Sequence, residues 1–246
     1  MLPSDEVISW TFDVFTWILK GRGGLKKFQT QKLVIATRES LSFPGCKGHD
    51  LGLEIFELTR RMAGMQDWPC RLEMVPDSNF NKLLGDYPAV IKTKSAAGTF
   101  SWSEDMPEPL IRYKEQELED PLGLVSTFAH ELTHYLYLKI PGKPPGGPKA
   151  EEPATDVGAV YLGFGVFLAN SAFVYKQGGA GWQSSHKGYL NECTLAFALA
   201  IFTELKNIPP ESAVAHLKLN PKTYYLEAVA DLRKGWRHEM DALRKL

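Results

Sequence analysis

The chain lacks an excess of charge of either sign. Its 246 residues include 28 Lys and Arg against 29 Asp and Glu, which gives a formal net charge of -1. Proteins whose main partner is nucleic acid or an anionic membrane usually carry a clear basic excess. The charge balance therefore gives no support for either partner. A hydrophobic content of 44% with 23% charged residues is instead typical of a folded globular protein.

Cysteine is scarce, and its spacing excludes two classes of small stabilised domain. Cys46, Cys70 and Cys193 are an odd number of residues at wide spacing. No CxxC pair is present, so the chain has no cysteine-based zinc finger and no recognisable disulfide framework. We therefore expect three reduced and largely buried thiols.

The sequence also lacks clear targeting signals. Asp5 and Glu6 precede the first apolar residues, where a secretory signal would have a basic segment, and no small-residue cleavage site follows. We therefore expect a cytoplasmic protein. Residues 157–175 are almost wholly apolar and nominally long enough to span a bilayer. Glycines interrupt this run and no cluster of Lys or Arg flanks it, so we expect a buried helix, with a membrane span as the alternative.

One motif carries metal chemistry. Residues 130–134 read His-Glu-x-x-His and lie within residues 124–140, which contain no Gly or Pro and are predicted to be helical. Residues four apart lie one turn above each other on a helix, so His130 and His134 can bind one metal ion. Glu131 lies about 100° around the helix from His130. It is close enough to take a proton from a water at the metal without being a ligand.

A catalytic zinc site needs a third protein ligand, and the residues that follow offer one. Four prolines and three glycines in residues 141–148 turn the chain back towards the histidines. Glu152 comes directly after this turn, and Asp156 follows it by four residues on a predicted helix. A carboxylate at Asp156 can accept the second N–H of a ligating histidine. The neighbouring Glu151 remains an alternative ligand, and only the spacing to Asp156 favours Glu152.

These residues resemble the gluzincin zinc metallopeptidases. That group has His-Glu-x-x-His on one helix and, on the next, a glutamate followed four residues later by an aspartate. The resemblance implies that Zn²⁺ is bound by His130, His134 and Glu152. It also implies that Glu131 is the general base and that Asp156 orients His130. Thr133 stands where the family commonly has a small residue. The first and last thirds of the chain do not place it in a particular gluzincin family.

The whole sequence predicts an α+β fold that is predominantly helical, with a small β-sheet in the N-terminal half packed on the His-Glu-x-x-His helix. We expect a single zincin-like metallopeptidase domain over residues 1–246. Its parts are a sheet-containing region at about 25–120, metal-binding helices at about 121–175 and a helical C-terminal part at about 186–246. Strands are predicted at 33–37, 71–75, 90–92, 99–102 and 110–114, and a loop is predicted at 177–188.

The predicted function is that of a zinc metallopeptidase with a peptide or protein substrate. The strand at 110–114 is predicted to accept an extended peptide by strand addition. His186, Tyr189 and His216 are candidates for the donor that stabilises the negative oxygen of the reacting carbonyl, and Tyr189 is preferred. One alternative is a zinc-binding, gluzincin-like protein without peptidase turnover, acting as a regulatory or interaction module. Another is a membrane-associated peptidase. The sequence predicts neither the cleavage preference nor the oligomeric state.

Overall fold

The structure is a computed structural model that describes residues 2–35, 42–80, 97–178, 181–186 and 189–246, with 173–178 and 181–186 described for their backbone alone. Most of the described chain is helical, and it also contains a three-stranded sheet. The predicted α+β class is therefore confirmed.

The helices and strands are numbered here in chain order. The α-helices are α1 (Asp5–Gly21), α2 (Gly24–Phe28), α3 (Gly48–Met62), α4 (Pro121–Tyr137), α5 (Glu151–Ala159), α6 (Gly165–Ser171), α7 (Glu192–Leu205), α8 (Pro210–Val214), α9 (Leu219–Gly235) and α10 (Arg237–Arg244). The strands are β1 (Arg71–Val75), β2 (Gly98–Ser101), β3 (Leu110–Lys114), β4 (Phe173–Gly178) and β5 (Gly181–His186).

The chain divides into two compact units, residues 36–136 and residues 1–35 with 137–246. The prediction of one domain over the whole chain stays a prediction.

The unit of residues 36–136 is built around the three-stranded sheet. Its strand order is β1-β3-β2, with β1 parallel and β2 antiparallel to β3. The predicted strands at 71–75 and 110–114 are confirmed, and the strand predicted at 99–102 is observed at 98–101. The strand predicted at 90–92 lies outside the described residues.

The sheet packs on α4, as predicted. Phe128 of α4 makes edge-to-face contacts with Tyr113 of β3 at 5.4 Å and with Phe56 of α3 at 5.2 Å. Phe100 of β2 stacks on the ring of Tyr135 at 5.8 Å. Asp120 is the N-cap of α4, because its Oδ1 accepts the Gly123 N–H at 3.0 Å. The sheet and α3 therefore fix the helix that carries the histidines.

The other unit is helical around α7, which is buried along most of its length. Asn191 caps α7 by accepting the Thr194 N–H at 2.9 Å. Helix α1 packs on α5, α7 and α10, while α7 packs on α6 and α9. Ser4 caps α1, where its hydroxyl oxygen accepts the Val7 N–H. Residues that the sequence marks as apolar thus form the core of this unit.

The apolar segment 157–175 is interrupted rather than continuous. Helix α5 passes into a π-helical turn, Val160–Phe164, before α6 begins. Gly163 has φ of 103°, and a Cβ there would lie 2.1 Å from the Lys32 carbonyl oxygen, so glycine is required. Among the residues that the structure describes, no helix has both the length and the apolar character needed to cross a membrane.

Three local predictions are wrong. The helix predicted through 175 ends at Ser171, and β4 begins at Phe173. The predicted loop at 177–188 includes the end of β4 and all of β5, which pair as an antiparallel hairpin that satisfies backbone groups a loop would leave to water. The strand predicted at 33–37 does not form over 33–35, because the Val34 N–H donates to the Gly163 carbonyl at 3.0 Å instead of joining the sheet. Residues 36–37 lie outside the described part.

Candidate metal centre

His130 and His134 lie one turn apart on α4, and their side chains converge. The two Nε2 atoms are 3.2 Å apart, and the ring planes are nearly perpendicular, at 77°. Both side chains are half-buried. The ring of Phe100, on β2, lies nearly parallel to that of His134 with 6.3 Å between the ring centroids. The sheet therefore supports one face of the second histidine.

The separation of the two nitrogens fits a shared metal ion. Imidazole nitrogens bind zinc at about 2.0–2.1 Å, so two ligands of a tetrahedral ion lie about 3.3 Å apart. The observed 3.2 Å between the Nε2 atoms agrees with this spacing. A hydrogen bond between one protonated and one unprotonated nitrogen has a similar length, so the position of a third potential ligand also bears on the site.

Glu152 offers a third potential ligand atom. One ligand atom each of His130, His134 and Glu152 lies within 4.8 Å of the other two. Since a tetrahedral ion needs about 3.3 Å between ligand atoms, the carboxylate has to move by no more than about 1.5 Å, which a side-chain rotation achieves. Two imidazoles and a carboxylate are a donor set that suits catalytic zinc.

The adjacent glutamates have different surroundings. Glu151 Oε1 accepts a hydrogen bond from Lys143 Nζ at 2.8 Å, in an ion pair with the Pro/Gly-rich segment. It is not part of the group of potential ligands, which contains Glu152. The choice of Glu152, made on its spacing to Asp156, stays a prediction.

Glu131 is held in a close-fitting position between helix and sheet. Only 5% of the residue is exposed. A Cβ built on Gly98 of β2 would lie 3.0 Å from Glu131 Oε1 and 2.8 Å from Thr127 Cγ2. Glycine at this position lets the strand approach the carboxylate closely, a requirement that no local sequence pattern signals.

Asp156 is buried, with 2% exposed, and holds a distant segment of backbone. Its Oδ2 accepts the N–H groups of Tyr189 at 2.8 Å and of Leu190 at 3.0 Å. This ties the residues before α7 to the helix that carries Glu152, one turn from that ligand. The predicted role of Asp156 as the partner of His130 stays a prediction.

The three residues predicted to donate a hydrogen bond to the negative oxygen of the reacting carbonyl lie in different places. Tyr189 is anchored through its backbone on Asp156, and its side chain is 40% exposed. His216 lies in the turn after α8, where its carbonyl accepts a hydrogen bond from Asn170 Nδ2 at 2.8 Å. The side chain of His186 lies outside the described part of the molecule. Of the three, only Tyr189 is tied by a described contact to the helix that carries Glu152.

Helix α1 holds the segment that joins α4 to α5, a role that the sequence does not reveal. Trp10 Nε1 donates to the Pro145 carbonyl at 3.0 Å, and Trp17 Nε1 donates to the Pro141 carbonyl at 3.1 Å. The two tryptophans are seven residues apart and so lie on one face of the helix. Their spacing is a detectable signal, but their partners are too distant in sequence to predict.

Tyr137 links the two helices directly. Its hydroxyl donates to the Ala154 carbonyl of α5 at 2.6 Å. Burial raises the pKa of Tyr137 well above its ordinary value, and the negative charge of Asp156 raises it further. The hydroxyl therefore keeps its proton and remains a donor.

The prediction that the strand at 110–114 accepts a substrate by strand addition is wrong. β3 is the central strand, with β1 on one side and β2 on the other, so both of its edges are already paired. Among the described residues, β2 pairs with β3 alone and so forms an edge of the sheet, and its Gly98 lies against Glu131.

Comparison of the chain with protein-family models, with curated proteins and with solved structures finds no match. The resemblance to gluzincins therefore stays a prediction from the motif, and the geometry of the site is what bears on function.

Proposed function

We propose that the chain is a zinc-dependent hydrolase, a zincin-like metallopeptidase of the gluzincin type that cleaves peptide bonds. One observation carries the proposal. Ligand atoms of His130, His134 and Glu152 lie within 4.8 Å of one another, and Glu131, adjacent to the first of these ligands, is buried against the sheet. Two imidazoles and a carboxylate beside a second carboxylate suit metal-assisted hydrolysis.

The roles of the side chains follow from their positions. When bound, zinc would supply a Lewis acid that polarises a carbonyl and lowers the pKa of water towards ~7. Glu131 takes a proton from the attacking water and passes it to the leaving amine. Tyr189 donates a hydrogen bond to the oxygen on which negative charge develops. Its anchor on Asp156 and its exposed side chain support this role.

The edge of the sheet supports a peptide as substrate. β2 has one neighbour among the described strands, β3, and its Gly98 lies against Glu131. An extended peptide can pair with the backbone of an edge strand. Pairing along β2 brings the substrate backbone beside the proposed general base. We therefore assign the substrate-binding role to β2 in place of β3.

A second candidate is a zinc-binding protein without peptidase turnover, acting as a regulatory or interaction module. The observation that favours it is the burial of Glu131, which restricts access to the carboxylate. Both candidates require the metal, and they differ in whether a substrate reaches the general base.

Two sets of variants test the proposal. Elemental analysis of the purified protein is expected to give about one zinc per chain. His134→Ala and Glu152→Ala are expected to lose most of it, whereas Glu151→Ala, the matched control, is expected to keep it because Glu151 pairs with Lys143. Zinc retained by the first two variants, or its absence from the wild type, would overturn the metal site.

Activity is tested separately with a library of fluorogenic peptides. Glu131→Gln is expected to keep zinc and to lose cleavage by at least about a hundredfold. Zinc binding without cleavage by the wild type would favour the second candidate. Equal cleavage by wild type and Glu131→Gln would show that Glu131 is not the base.

A further inference from the structure

The Tyr137 hydroxyl joins the two helices that supply the metal ligands. Tyr137 is the last residue of α4, three residues after His134, and Ala154 lies two residues after Glu152 in α5. The hydroxyl donates to the Ala154 carbonyl at 2.6 Å. The bond thus connects a point within one turn of the second histidine to a point within one turn of the glutamate.

The ring of Tyr137 is itself held in place. It packs edge-to-face on Trp17, with 4.7 Å between the ring centroids. Trp17 in turn donates to the Pro141 carbonyl at 3.1 Å. The hydroxyl that binds the Ala154 carbonyl therefore belongs to a ring that packs on α1.

We infer that Tyr137 is a positioning residue, whose hydroxyl holds the first turns of α5 through the Ala154 carbonyl and so orients the Glu152 carboxylate for the metal that it would bind with His130 and His134. This inference rests on the proposed metal site. The segment between the helices is bound by α1 at the Pro141 and Pro145 carbonyls, which lie before α5 begins, whereas the Tyr137 hydroxyl binds α5 itself. Without the bond, α5 can shift, and Glu152 then binds the metal less well.

A specific effect on Glu152 must be separated from a general loss of stability. A double-mutant cycle does this, because a residue that acts through another has no effect once that other residue is removed. If Tyr137 acts through Glu152, Tyr137→Phe weakens zinc binding in the wild type and has little effect in a Glu152→Ala background. A general loss of stability would weaken it in both.

The experiment measures the zinc dissociation constant by competition with a chromophoric chelator. Tyr137→Phe keeps the ring and removes the hydroxyl, and it is expected to weaken zinc binding about tenfold. In the Glu152→Ala background we expect a change of less than about twofold. The matched control is Tyr225→Phe, which also removes a buried hydroxyl bond, to Thr203 at 2.9 Å, and should leave zinc affinity within about twofold of the wild type. Thermal melting of the zinc-free proteins checks that both variants fold.

Three results would overturn the inference. Unchanged zinc affinity in Tyr137→Phe removes the positioning role and leaves the metal site intact. An equal loss in the wild-type and Glu152→Ala backgrounds shows that the hydroxyl acts through overall stability. Failure of the wild type to bind zinc removes the metal site and the positioning role together, so the two failures are distinguishable.

Discussion

Replacement of Gly98 by alanine is expected to lower activity and stability while leaving the metal in place. The added Cβ would lie 2.8 Å from Thr127 Cγ2, 3.0 Å from Glu131 Oε1 and 3.1 Å from Glu131 Cγ. Backbone strain is not involved, because Gly98 lies in β2 and is not among the glycines with positive φ. The effect therefore comes from the side chains that the methyl group displaces.

The expected losses of stability and activity in Gly98→Ala follow from these distances. Ordinary contacts begin at about 3.5 Å, so the carboxylate has to move by about 0.5 Å and the threonine methyl by about 0.7 Å. Overpacking of this kind costs about 1–3 kcal/mol of folding free energy. A displacement of 1 Å in a catalytic group costs about a hundredfold in rate, so 0.5 Å corresponds to about tenfold.

A second substitution separates the two contacts. Thr127→Ser removes the methyl group that lies 2.8 Å from the new Cβ and keeps the hydroxyl that donates to the Gly123 carbonyl. The double variant Gly98→Ala, Thr127→Ser is expected to regain much of the lost stability without regaining the activity, because the contact with Glu131 remains. Thr127→Ser alone serves as the control.

Urea denaturation measures stability, peptide cleavage measures activity and elemental analysis measures zinc. At a slope of about 1–3 kcal/mol per molar urea, the expected loss shifts the midpoint by about 1 M. Full activity in Gly98→Ala would refute the argument that β2 sets the position of Glu131. Loss of zinc along with activity would show that the strand supports the ligands rather than the base.

Three further predictions concern other parts of the molecule. Gly163→Ala is expected to lower the free energy of unfolding, measured by urea titration, by about 3 kcal/mol, because Gly163 has a positive φ and the added Cβ would contact the Lys32 carbonyl. Gly64 also has a positive φ but has open space around it. Gly64→Ala is the control and should lower the free energy of unfolding by only about 1 kcal/mol. Burial raises the pKa of the Cys70 thiol from its ordinary 9.0 to about 12, so at pH 8 it should react with Ellman's reagent about a thousandfold more slowly in the native protein than in urea. Because the native thiol holds its proton more tightly, the stability that Cys70 contributes is constant below pH 9 and falls between pH 9 and about 12. Tyr189→Phe is expected to lower kcat about a hundredfold with unchanged zinc affinity, and an unchanged kcat would remove it as a donor.

The parts of the site that the sequence predicts depend on local periodicity. The four-residue spacing of His130 and His134 determines their direction on a helix, and the same argument relates Glu152 to Asp156. The α+β class was predictable because the strands at 71–75 and 110–114 have strong local patterns. Physical chemistry that acts within one or two turns of a helix, or along one strand, is visible in the sequence.

The rest depends on contacts between distant residues. The approach of Gly98 to Glu131 joins two elements with no pattern in common, and nothing local marks Tyr137 as the residue that links α4 to α5. The β4–β5 hairpin was predicted as a helix end and a loop, because an apolar run hid the start of β4 and because loops and tight hairpin turns favour the same residue, glycine. The strand order that places β3 in the centre is likewise a property of pairing, which local propensity does not determine.

The contacts of α1 also have a consequence for biosynthesis. Trp10 and the carbonyl that it binds, on Pro145, are 135 residues apart in the chain. At a synthesis rate of about 5–20 residues per second, about 7–27 s separate their appearance on the ribosome. During that interval the apolar surface of α1, including Ile8 and Phe15, has no access to the helices that bury it. The nascent chain is therefore expected to need chaperones that cover this surface until the helices are made.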